Sequence, residues 1–274
     1  MRELGYIEGK DFTIEWRFAE GRYELFPDLA AELVRLNVDV IVLGTPAAIP
    51  VAQRATGTIP IVMAVSTDPV GNGYIVSLAR PGGNTTGLAS SQDDFVPKQL
   101  ELLSMCVPGL TRVGFLLNRS NPVHPLVLKI MQGAAQKTGL AIVPVELQNP
   151  QELSSAFAKL TNGRIEAVLF PGDAFFFSHR EQIADIALKA HLPTMFAQRE
   201  YVEAGGLISY GESLFDLYRR AAFYVDKILK GAKPADLPIQ QPTKFYTVIN
   251  RRTAEALALT IPLQLLVLSD ELVE

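Results

Sequence analysis

Short apolar segments alternate with longer segments of helical periodicity along the whole chain, and this rhythm limits the fold more than any other feature. Residues 39–43 form a mostly apolar run that ends at Gly44, which is typical of a strand buried on both faces. Residues 127–138 instead repeat their apolar side chains at helical spacing. Alternation of this kind predicts an α/β fold with parallel sheets flanked by helices. Further strands are predicted over residues 59–65, 113–117, 142–147, 167–170, 194–196, 207–210 and 245–249, and further helices over residues 26–34, 215–229 and 253–259.

The segment near the N-terminus follows a different pattern. Apolar residues occupy every second position from Phe12 to Phe18, and polar residues occupy the positions between them. This period of two is typical of a strand with one buried and one exposed face. We therefore predict an edge strand over residues 12–18.

The two halves of the chain match each other at several points in the same order. Segments of the first half have counterparts in the second half at nearly equal offsets: those that contain Gly5, Val38 and Pro60 correspond to those that contain Gly139, Ile165 and Pro193. Such a repeat predicts two lobes of one architecture.

The second half of the repeat contains a strand and a full helix that the first half lacks. Residues 113–117 and 127–138 precede Gly139, whereas only residues 1–4 precede the matching Gly5. We therefore expect the first strand of lobe 1 to be missing and the chain to begin inside the first helix of that lobe. A signal peptide would have been lost with this segment, so its absence does not bear on localisation.

Charge and composition argue against nucleic acid as a partner and against a disulfide framework. The formal net charge is −4, and the Lys and Arg residues form no cluster with aromatic residues. Cys106 is the single cysteine and lies among apolar residues, which indicates a packed side chain and not a nucleophile. No apolar run approaches the roughly 20 residues that a bilayer-spanning helix needs.

No pattern in the sequence predicts a catalytic residue, a metal site or a cofactor. Residues 81–87 resemble a phosphate-binding loop but lack the Lys-Ser/Thr pair that contacts phosphate and magnesium. The histidines lack the spacing of metal ligands. We expect His124 and His179 to cap or flank helices and His191 to lie in a surface loop.

Several long blocks of the sequence resemble a known family. They read "RELGYIEGKDFTIEWRFAEGRYELFPDLAAELVRLNVDVIVLGTPAA", "IPIVMAVSTDPVGNGYIVSLARPGGNTTGL", "EYVEAGGLISYGESLFDLYRRAA" and "VINRRTAEALALTIP". In this order they are similar to ABC-transporter substrate-binding proteins related to tryptophan- and tyrosine-binding lipoproteins, over nearly the whole chain. Members of that family begin with a signal sequence and one more βα unit, which agrees with the missing strand inferred above.

The resemblance implies a type I periplasmic binding protein fold. Two Rossmann-like lobes with parallel sheets would be joined by three crossing strands, near residues 86–90, 210–214 and 241–245. The expected lobes are therefore residues 1–88 plus 212–241 and residues 89–211 plus 242–274.

The resemblance also implies the function. The chain would be the periplasmic or lipid-anchored subunit that captures a small molecule, an aromatic or branched amino acid, by hinge closure, and presents it to an ABC permease in the membrane. We expect a monomer unless the truncation of lobe 1 promotes dimerisation. Two alternatives stay open: a Rossmann-like enzyme acting on a nucleotide or small metabolite, and a ligand-sensing regulatory domain. The sensor would require a fused DNA-binding or membrane segment, which this sequence does not contain.

Ligands of open parallel sheets bind beyond the carboxyl ends of the strands, and two candidate residues hold such positions in lobe 1. Thr45 and Pro46 would begin a helix whose free N–H groups face a ligand carboxylate, although Thr45 is equally suited to capping that helix alone. Asp68 would pair with a ligand ammonium, or else serve as the turn residue before Pro69.

Lobe 2 offers further candidates at its own strand ends: Asn118 with the following residues to Asn121, Asp173, Phe175, Gln198 and Tyr210. Asp173 is a second partner for the ammonium. Phe175 opens a run of three aromatic residues and would either wall the ligand site or pack where its helix begins. Tyr210 lies close to a crossing, and the resemblance favours it as a cleft residue over a plug in the hinge.

Overall fold

The computed structural model of the chain describes residues 1–90, 92–242 and 244–274. The chain divides into two compact units: unit 1 contains residues 1–91 and 214–243, and unit 2 contains residues 92–213 and 244–274. The chain therefore passes from one unit to the other three times. Ser91 in the predicted lobe 2 and Thr243 at the third predicted crossing lie outside the described residues.

Helices and strands alternate along the described residues. The α-helices are α1 (Phe26–Arg35), α2 (Ile49–Ala55), α3 (Gln92–Cys106), α4 (His124–Thr138), α5 (Leu153–Asn162), α6 (Ala174–Ser178), α7 (Arg180–Lys189), α8 (Arg199–Glu203), α9 (Leu214–Leu229), α10 (Arg251–Ala256) and α11 (Leu263–Leu268). The strands are β1 (Ile41–Leu43), β2 (Ile61–Met63), β3 (Thr85–Gly87), β4 (Arg112–Asn118), β5 (Ala141–Leu147), β6 (Ala167–Leu169), β7 (Thr194–Phe196), β8 (Ile208–Gly211), β9 (Tyr246–Asn250) and β10 (Glu271–Val273). Single 3₁₀ turns cover Arg2–Leu4, Tyr23–Leu25, Pro46–Ala48, Pro150–Glu152 and Pro234–Asp236. Of the helices in the described part of the chain, none combines the length and apolar character needed to cross a bilayer.

Unit 1 contains a parallel sheet in the order β1-β2-β3. The central strand β2 is buried on both faces, since Ile61 and Met63 pack towards α2 whereas Val62 packs towards α9. The predicted burial of the first strand on both faces is wrong, because Val42 of β1 is 42% exposed. The reason is position: β1 lies at the edge of the sheet, and α9 packs against β2 and β3.

The predicted edge strand over residues 12–18 is also wrong. Phe12 forms a single bridge with Glu8, and the rest of the segment pairs as a strand with no described residue. Phe12 is half-buried, but the other alternating apolar side chains remain exposed, 59% for Trp16 and 68% for Phe18. Alternation describes the two faces of a strand, but a strand also requires a neighbour for its backbone groups, and the sequence pattern does not report that neighbour.

Unit 2 contains a larger sheet in the order β10-β9-β8-β7-β6-β4-β5, in which only β8 and β9 are antiparallel among the described strands. Val113 and Phe115 of β4 pack with α3 and α4 on one face, and Leu116 packs with α5 and α7 on the other. A strand buried on both faces accounts for the uninterrupted apolar run that predicted it. The predicted α/β fold with parallel sheets is confirmed.

Candidate ligand-binding site

Four of the predicted site residues lie at one edge of the sheet in unit 2. The strands β8, β7, β6 and β4 are parallel neighbours, so their carboxyl ends lie at the same edge. Asn118 ends β4, Asp173 follows β6, Gln198 follows β7 and Tyr210 lies near the end of β8. The structure therefore brings these four residues to one edge, and the topology of the sheet is the cause.

Asp173 caps helix α6 with its carboxylate. Its Oδ1 accepts hydrogen bonds from the backbone N–H groups of Phe175 at 2.8 Å and Phe176 at 3.1 Å. Its Oδ2 accepts one from the side-chain amide of Asn121 at 2.7 Å, and the Asn118 amide lies 3.4 Å from both oxygens. The side chain has 0% exposed surface. A buried carboxylate needs donors of this kind, so the geometry favours the capping role, and direct contact with a ligand ammonium stays a prediction.

His124, the first residue of α4, lies on the other side of this carboxylate. Its Nδ1 accepts the backbone N–H of Asn118 at 2.9 Å, which assigns the ring proton to Nε2. Nε2 lies 3.2 Å from Oδ2 of Asp173, yet its N–H is not aligned for a hydrogen bond with any described residue. The ring is 2% exposed. The histidine is therefore packed between the end of β4 and the start of α6.

The amides of Asn118 and Asn121 also fix the turn that follows β4. Oδ1 of Asn118 accepts the backbone N–H of Ser120 at 2.9 Å, and Oδ1 of Asn121 accepts that of Val123 at 3.0 Å. Both residues are buried, 2% and 4% exposed respectively. These bonds supply acceptors for backbone N–H groups of the turn that neither the strand nor the helix pairs. The side chains of both asparagines therefore have a structural role.

Phe175 packs where its helix begins. It is buried, and its ring contacts Phe176 edge-on at 5.4 Å between centroids and His179 at 4.9 Å. Phe177 is half-buried and lies edge-on to Tyr201 at 5.8 Å. The packing interpretation is therefore favoured for Phe175, and its role as a wall of the ligand site stays a prediction.

Gln198 and Tyr210 are the half-buried members of the set. Gln198 holds the N-cap position of α8 without a side-chain capping bond. Its amide nitrogen lies 3.0 Å from where a Cβ of Gly172 would be, so the glycine makes room for it. Tyr210 stacks on Phe245 with ring centroids 5.7 Å apart, and its backbone oxygen accepts the Gln99 amide at 2.8 Å. Burial raises the pKa of the Tyr210 hydroxyl.

In unit 1, the two candidates differ in what their side chains do. Thr45 precedes the turn Pro46–Ala48, but its hydroxyl forms no capping bond, and the turn is closed by the Ala48 N–H and the Thr45 carbonyl at 3.2 Å. Asp68 is exposed, has a left-handed backbone (φ 39°), and accepts the Gly71 N–H at 2.9 Å. The geometry of Asp68 supports its interpretation as a turn residue. The interpretation in which the Thr45 side chain caps its helix is wrong.

Tyr218 of α9 is a candidate that sequence reasoning missed. Its hydroxyl lies so close to Gly44 that a Cβ there would overlap it, and this places the phenol beside Thr45 at the end of β1. The residue is 48% exposed, while burial of its hydroxyl raises the pKa of that group. Gly44, directly after a strand, was the available signal, since such a glycine often marks close approach of another group.

The described residues contain no group of three or more His, Cys, Asp or Glu side chains that would hold a metal ion. The predicted residues at the carboxyl ends of the strands are polar side chains and aromatic rings, which are residue types found in small-molecule sites.

Comparison with known proteins places the chain in a family. Residues 1–273 match the family described as ABC transporter substrate binding protein. A tyrosine-binding protein of Clostridioides difficile (strain R20291) is 26% identical over 258 residues, which are 94% of this chain and 74% of that protein.

Two solved structures are similar over nearly the whole chain. An ABC domain from Streptococcus pneumonia in complex with L-Trp has a TM-score of 0.91 and 26% identity, covering 99% of this chain and 91% of that one. A conserved domain protein from Vibrio cholerae has a TM-score of 0.92 and 28% identity, covering 99% and 90%. The fold is that of a type I periplasmic binding protein, as the resemblance implied. The chain belongs to the ABC transporter substrate-binding protein family.

Proposed function

We propose that this chain is the extracytoplasmic ligand-capturing subunit of an ABC uptake transporter and that its ligand is an aromatic amino acid. The observation that carries the proposal is the match of the family to residues 1–273. The choice of ligand is supported by relatives of which one is named for tyrosine binding and another holds L-Trp. Capture in the periplasm or on a lipid anchor, delivery to a permease, and the absence of catalysis follow from the same proposal.

The proposed mechanism is hinge closure on a ligand held at the strand ends of both units. A ligand that contacts both units binds the closed form better, and this difference in affinity drives closure. The permease would then recognise the closed form.

Among the predicted residues, the proposal separates direct contacts from supporting ones. The Thr45 hydroxyl makes no capping hydrogen bond and would bind the ligand carboxylate. Gln198 and Tyr210, which are half-buried, would contact the ligand from unit 2. Asn118, Asp173 and Phe175 are buried and would hold the strand ends in place. Asp68 would bind the ammonium, because its carboxylate is exposed and its Oδ2 forms no hydrogen bond with a described residue.

The experiment that tests the function is a thermal-shift screen of amino acids, sugars, nucleosides and nucleotides on the purified chain. L-Trp or L-Tyr at a hundredfold excess over Kd should stabilise the native state by about 2.7 kcal/mol and raise the Tm. No shift with any amino acid would contradict the ligand. A shift with nucleotides alone would favour the enzyme.

The ammonium contact is tested with matched ligands and the substitution Asp68→Asn. This change keeps an oxygen for the Gly71 N–H but removes the charge. The substitution should weaken the binding free energy of L-Trp by about 2 kcal/mol in a calorimetric titration, since the ligand ammonium loses its partner. Indole-3-propionate lacks the ammonium and should bind both forms equally. If the substitution weakens the binding of both ligands equally, or of neither, Asp68 does not bind the ammonium.

A further inference from the structure

The buried ring of His124 lies between the end of β4 and the start of α6, at the candidate site. Its Nδ1 holds the backbone N–H of Asn118, the last residue of β4, at 2.9 Å. On its other side, Nε2 lies 3.2 Å from the Asp173 carboxylate that caps α6. With 2% of its surface exposed, the ring itself is not a surface on which a ligand can lie.

The two nitrogens of this ring have different tasks. The N–H of Asn118 needs an acceptor, because the residue is buried and a donor without a partner is costly there. Only an unprotonated Nδ1 supplies that acceptor, and the proton is then on Nε2, towards the carboxylate. The ring also stacks on Phe176 of α6, with 6.1 Å between the centroids and an angle of 11°.

The carboxylate beside this ring is also bonded to the turn after β4. The Asp173 carboxylate accepts the Asn121 amide at 2.7 Å, and the Asn121 oxygen holds the N–H of Val123 at 3.0 Å. The carboxylate and the asparagine therefore join the start of α6 to the turn by hydrogen bonds, and the histidine lies against them while bonding the end of β4 through Nδ1.

We propose that His124 is a positioning residue: through the backbone N–H of Asn118, its Nδ1 holds the carboxyl end of β4 in the geometry that binds ligand. The dependence of ligand affinity on His124 rests on the proposed function, whereas the positioning of Asn118 does not. His124 acts without touching the ligand.

The test compares two substitutions that each preserve one nitrogen of the ring. In His124→Asn, the amide oxygen can take the place of Nδ1 and accept the Asn118 N–H. In His124→Gln, the longer side chain places its polar group towards Asp173 and leaves the position of Nδ1 empty. Amide-resolved hydrogen exchange of the ligand-free protein should show the Asn118 N–H exchanging about tenfold faster in His124→Gln, a tenfold change being about 1.4 kcal/mol of local opening. The Asn variant should exchange like the wild type.

Ligand affinity should follow the same order. L-Trp should bind about tenfold more weakly to His124→Gln and within about threefold of the wild type to His124→Asn. His191→Asn, at an exposed position with a left-handed backbone (φ 52°), is the matched control and should change neither quantity. Equal exchange of the Asn118 amide in the Asn and Gln variants overturns the positioning role. If the wild type binds no amino acid, the proposed function fails while the exchange data still decide the role of His124.

Discussion

Cys106 ends helix α3 inside the core of unit 2, in contact with other apolar side chains. It has no exposed surface (0%), and burial raises the pKa of its thiol to about 12. Burial acts in this direction because it penalises the thiolate and leaves the neutral thiol unaffected. The side chain is therefore an inert packing group, which agrees with the interpretation drawn from its apolar neighbours in the sequence.

The raised pKa makes the stability of the protein pH dependent above pH 9. The thiol of the unfolded chain ionises near its ordinary value of 9.0, whereas the native thiol ionises near 12. The contribution to stability is complete below the lower value and is lost as the pH rises towards the higher one. Relative to Cys106→Ala, the wild type should lose about 1 kcal/mol of unfolding free energy between pH 8 and pH 10 in urea titrations. A constant difference between the two proteins over this range would contradict the burial of the thiol.

The sequence predicted where single residues of the candidate site lie, but not what each side chain does there. Parallel strands end at one edge, so the apolar runs before Asn118, Asp173 and Gln198 were enough to place them near one another. The pattern does not report which side chain turns inward. The Asp173 cap is completed by Asn121 in the turn after β4, and Phe175 packs in a cluster that includes Leu116 of β4, so both depend on residues that are distant in sequence.

At the scale of elements, prediction succeeded where burial alone defines the strand. β4 and β6 are buried on both faces, and an apolar run is then the direct record of the environment. The segment over residues 12–18 fails for the opposite reason: it shows the alternation of a strand, but beyond the single bridge of Phe12 with Glu8 it pairs with no described residue. Its rings at Trp16 and Phe18 stack on each other, 5.6 Å apart, instead of packing in a core.

An exposed apolar segment that lies outside a sheet is a surface for association with another chain. Phe18→Lys removes the most exposed ring of this segment and should reduce self-association in analytical ultracentrifugation. The unfolding free energy should change by no more than about 0.5 kcal/mol, since the side chain is 68% exposed. Thr13→Lys is the control: it adds the same charge at an exposed position of the segment and keeps the ring. Equal effects of both variants would assign the change to charge and not to the aromatic surface.

At the scale of the whole molecule, each unit is assembled from two distant parts of the chain. In unit 1, Leu217 and Ala221 of α9 pack with Val62 of β2. In unit 2, β9 lies inside the sheet, between β8 and β10. Residues 214–274 therefore supply an interior element to each unit, and neither unit has a complete core without them.

A chain that ends at residue 213 should consequently lack cooperative unfolding in both units. Loss of α9 exposes one face of β2, and loss of β9 exposes the apolar edge of β8 and leaves its backbone groups unpaired. Thermal unfolding followed by circular dichroism should show a broad transition with no defined midpoint, and hydrogen exchange should show little protection in β2 and β4 alike. A chain that ends at residue 270 is the control, since it loses the edge strand β10 with Glu274 but keeps β9 and the Asp270 carboxylate that accepts the Thr247 N–H, and it should retain a cooperative transition. A cooperative transition in the shorter chain, with hydrogen-exchange protection kept in one unit, would contradict this prediction. That unit would then fold from a single continuous segment and would not need the C-terminal elements for its core.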